Sequence, residues 1–410
     1  MAPVPATAAA APAAVSTHEI RRAQRADGPA TVLAIGTANP ETCVPQDEYT
    51  DFYFRLTKSE HLPELKNKLR RICKHYACTH IVTSIEKRFL HVNDDVMEAH
   101  PEFADRHLTS LDARVEIASK VVPELAAAAS AKAIADWGRP ATDITHLIFS
   151  TYSGVKAPSG DRLLASLLGL RPTVSRTVLS LHGCYGGGRA LQLAKELAEN
   201  NRGARVLVAC AESTLIAFYG PEVGCNDTII GQALFGDGSG AVIVGADPVG
   251  AVERPLFEMT FASQTTVPDS EGAITMQYMK GGMDYHIASG VPEMLAGNIE
   301  RCLVDAFGAI GVAARWKDLF WAVHPGGRRI LDLIEESLGL ENGAMAASRQ
   351  VLHEYGNMSG TTVIFVLNEL RRRFVAGGAE GADWGALMAF GPGVTVETIL
   401  LRVGSGLKGN

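Results

Sequence analysis

The chain has 410 residues, 47% of them hydrophobic and 20% charged, with a formal net charge of −7. That size and balance exclude a disordered or fibrous protein and fit two or three structural units, or one large α/β body. The acidic total argues against nucleic-acid binding, which needs a basic footprint. No apolar run approaches the roughly 18–20 residues of a membrane span.

Residues 1–29 read as a disordered, Ala/Pro-rich tail, with Arg21, Arg22 and Arg25 near its end. The first sixteen residues lack the basic start of a secretory signal, and the arginines that follow leave an organelle-transit segment as the alternative to a plain tail. The seven cysteines are odd in number and widely spaced, and a chain this long needs no staples. A reducing, cytoplasmic location is the expectation. No nucleic-acid or membrane partner is expected.

Thr31–Gly36 predicts a short buried strand, and Leu111–Ala135 a long helix. Strands are predicted at Ile144–Thr151, Val178–His182, Val206–Ala211 and Gly240–Val244, with a helix from Cys184 to Asn200. Strands alternating with helices indicate an α/β layered fold. The basic run from Lys66 to His75 reads as one face of a helix and could dock a phosphate-bearing substrate.

Three landmarks recur in one order. Thr145–Gly154 parallels Lys317–Gly326, each an apolar strand ending at a glycine turn. Gly183-Cys184 and Gly356-Asn357 each open a helix, and Phe235–Gly238 and Phe390–Gly393 each precede an apolar strand. The pattern suggests an internal duplication, with halves at 30–250 and 251–410. Ligands of open α/β sheets gather at the carboxyl ends of strands. Ser153, Cys184, His324 and Asn357 fall at such ends or at helix starts, where two halves could bring them together.

Cys184 lies between a strand and a helix in a glycine-rich turn. There the helix dipole favours a thiolate and glycines admit a substrate to the backbone. By position alone it is either a nucleophile or a structural thiol. His324 could face a cleft or be a satisfied structural histidine, and Asn357 could be no more than an N-cap. Together the three offer a thiol and two hydrogen-bond donors for a developing oxyanion or enolate. The cysteine lacks the sequence context of papain-like proteases. The glycines do not fit G-x-G-x-x-G, because Leu191 stands at the third position. Cys73, His75, Cys78 and His80 are zinc-type residues, but four so close do not match knuckle spacing, and no metal is expected.

The segments Leu111–Arg114, Gly183-Cys184-Tyr-Gly-Gly, Phe235–Gly238, His324–Gly327, Tyr355–Ser359 and Phe390–Gly393 occur in one order from about Arg21 to Val403. In this the chain resembles the plant type III polyketide synthases, the chalcone synthase superfamily. The resemblance implies an α/β thiolase-like fold with a duplicated αβαβα five-layered core, usually a homodimer. It implies that Cys184 takes the acyl starter from CoA, while His324 and Asn357 keep the thiolate and assist decarboxylation of malonyl-CoA. It makes Phe235 the gate between CoA tunnel and cavity. It assigns CoA contacts to Lys68, Arg71, Gly326 and Gly327, with a further cation near Lys74 or His75. No cofactor is bound permanently; acyl-CoA and malonyl-CoA are substrates.

The resemblance places Tyr152, Ser153, Thr214, Ala217, Met276, Tyr285, Ser359 and Pro392 in the substrate pocket. Thr214 keeps the chalcone-forming pattern. Tyr152 and Ala217 replace threonines, Met276 a glycine and Tyr285 a phenylalanine. Ala157 replaces the methionine that reaches into the partner subunit's cavity. Residues around His75–Ser84 look inserted. These departures imply a divergent member, curcuminoid-synthase-like or pyrone-forming, extending an aromatic, p-coumaroyl-type starter with malonyl-CoA. The other readings are a fatty acyl-primed alkylpyrone or alkylresorcinol synthase, a β-ketoacyl-ACP synthase III-like enzyme, and a catalytically silent binding subunit.

Overall fold

A computed structural model describes residues 16–73, 83–250, 252–377 and 382–408. Most of the Cys73–His80 cluster and of the inserted stretch at 75–84 lies outside the described residues, as do Lys74, His75 and residues 1–15 of the tail.

Ordered structure begins earlier than Ala30. Thr17–Gln24 is a helix closed at its start by a reciprocal cap between Ser16 and Glu19. The chain that follows is tied down, with the Asp27 and Gly28 amides donating to the Asp247 carboxylate. The expectation of a disordered tail through residue 29 is therefore corrected for residues 16–29.

The first half contributes β1 (Ala30–Ala38), β4 (His146–Thr151), β5 (Ser175–Ser180), β6 (Arg205–Glu212) and β7 (Gly238–Gly245). The second contributes β8 (Phe257–Thr266), β11 (Phe320–Val323), β12 (Trp384–Gly391) and β13 (Thr395–Val403). Two small antiparallel pairs lie outside: β2 (Thr42–Pro45) with β3 (Lys87–Leu90), and the hairpin of β9 (Ile274–Met279) with β10 (Gly282–Ile287). The nine main strands run in the order β11-β12-β13-β8-β1-β7-β6-β4-β5.

The duplication is visible in that order. From the centre outwards the first half reads β1, β7, β6, β4, with antiparallel, antiparallel and parallel pairings. The second half reads β8, β13, β12, β11, with the same three pairings. Each of the three landmarks falls at matching places in both halves. Only β5 lacks a counterpart among the described residues. The halves join where Ala30–Val32 pairs with Phe257–Met259.

Packing divides the body into layers. The Leu111–Trp137 helix covers one face of the first half, burying Ala118, Val122, Ala126, Ala129 and Ala133 against β1, β6 and β7. The Val291–Ala309 helix covers the second half from outside through Leu295, Ile299 and Leu303. Between the halves lie the Gly186–Asn200 and Thr362–Val375 helices, in one core that draws on both sets of strands. The result is the thiolase-like α/β layering. Burial on both faces explains why β6 and β7 read as continuous apolar runs, not as alternating ones.

The two central helices meet at their starts. A Cβ on Gly187 would lie 2.1 Å from the Gly360 carbonyl oxygen, so only glycine allows this approach. It brings the turn carrying Cys184 against the turn carrying Asn357 and Ser359. No helix of the described residues is long and apolar enough to cross a membrane.

Candidate active site

Cys184 sits in a single 3-10 turn, Gly183–Tyr185, leading into the central helix. Gly183 adopts φ 56°, the left-handed region that glycine tolerates. Asn357 and Ser359 occupy the matching turn of the second half. The Ser359 amide donates to Asn357 Oδ1 over 2.8 Å. That bond fixes the amide flip, so Asn357 Nδ2 faces the Gly326 carbonyl at 3.2 Å and the Cys184 sulfur at 4.0 Å. Ser359 Oγ lies 3.7 Å from the same sulfur. His324 follows β11 directly, and its amide donates to the Met388 carbonyl of β12 over 2.8 Å.

These side chains share one cavity. Cys184, His324, Asn357, Ser359, Phe235 and Gly326 line it, with Tyr152, Thr214, Ala217, Met276, Tyr285 and Pro392. Twelve of the sixteen site residues proposed from sequence line it, and Lys68, Arg71, Ser153 and Gly327 do not. Ser153 is buried but turned elsewhere, donating to the Glu212 carboxylate and the Ser213 carbonyl. Gly327 precedes the Arg328–Ser337 helix and does not line the cavity.

His324 is completely buried, and neither ring nitrogen has a hydrogen-bond partner among the described residues. Buried polar groups are normally paired, so both nitrogens are open to a reacting group. Burial takes the imidazole down to about 3, which keeps it neutral. Burial also pushes the Cys184 thiol up to about 11, against smaller opposing effects of hydrogen bonds with Ser359 and Asn357. Desolvation thus opposes the thiolate that the start of the helix would favour. A proton passed from sulfur to imidazole adds no net charge to the cavity, so the pair can still supply a thiolate to an arriving electrophile.

Thr214 Oγ1 is a buried cavity-lining hydroxyl with no partner among the described residues, while its amide donates to Asp237 over 2.7 Å. Phe235 ends the Asn226–Leu234 helix and meets Tyr285 edge-on, centroids 5.6 Å apart. The Tyr285 hydroxyl donates to the Asp227 carbonyl at 3.2 Å. A Cβ on Gly231 would sit 1.7 Å from that hydroxyl oxygen, so glycine makes room for the tyrosine. Met276 reaches towards Gly183 and Pro392 does the same, which narrows the space beside the thiol.

Sequence reasoning missed the apolar wall of Ile274, Met283, Ile287, Val291, Leu295 and Ile330. Ile274 and Met276, like Met283, Tyr285 and Ile287, alternate along β9 and β10, and a period of two could have revealed them. It also missed two buried acids beside the cavity. Glu212 accepts from Thr151 Oγ1, the Tyr152 amide and Ser153 Oγ, and burial raises it to about 8. Asp237 accepts from the His91 amide, His91 Nδ1, Ser213 Oγ and the Thr214 amide.

A second, more polar cleft shares Met283, Tyr285 and Ile287 with the cavity. Asn226 stands at its rim and accepts a hydrogen bond from Lys68 on the Pro63–Cys73 helix. Arg71 projects from the same helix into solvent.

Models of the N-terminal and C-terminal domains of chalcone and stilbene synthases match residues 17–248 and 258–404. A bisdemethoxycurcumin synthase of Oryza sativa subsp. japonica is 54% identical over 392 residues, 94% of this chain and 96% of the relative.

Proposed function

The chain belongs to the chalcone and stilbene synthase family, and on that premise we propose that it builds a curcuminoid-type product from an aromatic, p-coumaroyl-type CoA thioester and malonyl-CoA. It is an acyltransferase, a type III polyketide synthase acting on phenylpropanoid-derived substrates. The observation that carries the finer reading is the approach of the Asn357 amide and the Ser359 hydroxyl to the Cys184 sulfur, in an apolar cavity that His324 also lines.

In this reading Cys184 attacks the starter thioester. The new S–C bond forms, the bond to CoA sulfur breaks, and the thiol proton passes through His324 to the departing CoA thiolate. Malonyl-CoA then loses CO2, and the electron pair of the broken C–C bond becomes an enolate. His324 and Asn357 donate to its oxygen; a single preorganised donor of this kind is worth about 10²–10³-fold in rate. A neutral imidazole suits this task, since it keeps an N–H without bringing a charge into the cavity. The enolate carbon attacks the Cys184 thioester and the thiolate leaves.

Phe235 gates the passage from the polar cleft to the cavity. Lys68 and Arg71 hold CoA phosphates at the cleft's rim, and CoA enters as substrate with no resident cofactor. Gly326 acts through its carbonyl on Asn357, and Gly327 leaves open space for the pantetheine arm. Tyr152, Ser153, Thr214, Ala217, Met276, Tyr285, Ser359 and Pro392 shape the pocket, Ser153 from behind by holding Glu212. The similarity to the rice bisdemethoxycurcumin synthase supports the curcuminoid product class.

A homodimer and a cytoplasmic location belong to the same proposal. Among the described residues the outer edge of β5 is unpaired, and Leu163 and Leu167 of the neighbouring Gly160–Leu167 helix are exposed, as is Leu181 just after the strand. Such an edge needs covering. The six cysteines among the described residues are all free thiols. Incubating the enzyme with p-coumaroyl-, feruloyl- or medium-chain acyl-CoA plus malonyl-CoA, read by mass spectrometry, tests the reading. An aromatic curcuminoid is expected; products from the medium-chain starter alone would replace it with the alkylpyrone reading.

A further inference from the structure

Behind the gate lies a cation that the mechanism does not use. Arg88, on β3, is completely buried and pairs with no carboxylate among the described residues. A buried charge is costly unless its donors are well matched. Here Arg88 Nε donates to Gln46 Oε1 at 2.8 Å, and Nη1 donates to the carbonyls of Gln232 and Phe235 at 2.7 and 2.8 Å, while Nη2 has no partner among the described residues. Both carbonyls belong to the end of the Asn226–Leu234 helix, whose partial negative charge suits a cation. The guanidinium lies 3.7 Å from the Tyr49 ring centre, a cation–π contact.

The segment it holds reaches the reaction centre directly. Phe235 and Asn357 form a parallel bridge. The Asn357 backbone N–H donates to the Leu234 carbonyl at 2.9 Å, and the Gly236 N–H returns a bond to the Asn357 backbone carbonyl at 3.0 Å. The Arg88 stem also packs where a Cβ of Gly356 would stand, 2.9 Å from its Cδ. Arg88 thus braces the backbone on both sides of the bridge.

We propose that Arg88 is a positioning residue, fastening gate Phe235 and donor Asn357 into one unit so that the Asn357 amide stays aimed at the developing enolate. This rests on the reading of Asn357 given above. A guanidinium is required because a planar fork can reach Gln46 and two carbonyls at once, whereas an ammonium is a compact point charge.

The test uses the full-length enzyme and Arg88→Lys, Arg88→Met, Gln46→Leu and Asn357→Ala. Three readouts are taken: unfolding temperature, malonyl-CoA decarboxylation to acetyl-CoA, and p-coumaroyl transfer to Cys184 by intact mass. In Arg88→Lys the kcat for decarboxylation is expected to fall about tenfold, with KM for malonyl-CoA and starter loading within about twofold of wild type. Arg88→Met should lose more, and Gln46→Leu about threefold, in the same selective pattern. If both Arg88 variants fail to fold, Gln46→Leu decides alone. Equal losses in loading and decarboxylation would mean a merely structural role and overturn the proposal. So would unimpaired decarboxylation in the Arg88 or Gln46 variants beside an inactive Asn357→Ala. Wild-type decarboxylation in Asn357→Ala would instead remove the reading of Asn357, and this proposal with it.

Discussion

Asn357 divides one amide group between two partners, the Gly326 carbonyl at 3.2 Å and the Cys184 sulfur at 4.0 Å. The first contact is a hydrogen bond; the second is long enough for an enolate oxygen to compete for the same donor. The amide is therefore anchored without being used up. Asn357→Ala is expected to lower malonyl-CoA decarboxylation about 10²–10³-fold. Starter loading on Cys184, which needs no enolate, should survive. Separate assays of acetyl-CoA release and of intact mass distinguish the two steps; parallel loss of both would contradict the assignment.

His324→Gln should separate the two roles of the imidazole. Glutamine keeps a donor but takes no proton from the thiol. Loading at pH 7 should drop about 100-fold, the usual size of a general-base contribution. The sign with pH follows from Cys184, whose thiol is pushed up to about 11 by burial. Without a base, only the thiolate fraction reacts, and it grows as pH rises towards that value. Loading in the variant should therefore recover at alkaline pH, while wild type stays flatter between pH 6 and 9. A variant as flat as wild type would show that His324 does not accept this proton.

Several parts of this site were legible in the sequence because they coincide with breaks in local pattern. Cys184, His324 and Asn357 each stand where an apolar strand or helix meets a glycine turn. Their convergence followed from the paired landmarks, which the matching strand order bears out. Glu212 and Arg88 carry no such mark. Each is a charged residue beside ordinary neighbours, and only the tertiary fold buries it and supplies its partners. Asp237 does stand in a glycine turn, but its partners His91, Ser213 and Thr214 come together only in the fold. β5 ends at Ser180, two residues before the expected His182, because Leu181 is apolar but takes φ 63°, already in the turn. The opening helix was overlooked although Ser16 and Glu19 carry the spacing of a capping box. Alanine and proline around it masked that signal.

Met276 offers the most direct route to altered products. Its sulfur would stand 3.1 Å from a Cβ on Gly183, so it fills space immediately beside the reactive turn. It pairs with Tyr285 across the β9–β10 hairpin, so the wall opposite stays in place when it is trimmed. Met276→Gly should enlarge the cavity and lengthen or reroute the product, at a cost of about 2–3 kcal/mol in stability from lost packing and added backbone freedom. Mass-spectrometric product profiles across several starters check the first effect, and denaturant melts the second. An unchanged profile with every starter would show that the cavity is not limited at this wall.

The loop that carries the gate depends on a buried carboxylate. Burial alone would raise Asp237, but hydrogen bonds and charge from His91, with the Thr214 amide, hold it below the usual range. A carboxylate depressed in the folded state contributes stability above its unfolded pKa and loses it as pH falls through the folded value. Asp237→Asn should therefore cost about 3–5 kcal/mol at pH 7, the size seen when one partner of a buried pair is removed. The gap from wild type should narrow in urea melts taken below about pH 4, where the carboxyl of the unfolded chain takes up a proton first and the depressed Asp237 loses its advantage. A gap of equal size at both pH values would mean that the charge on Asp237 contributes nothing and that its shape alone holds Thr214 and the gate.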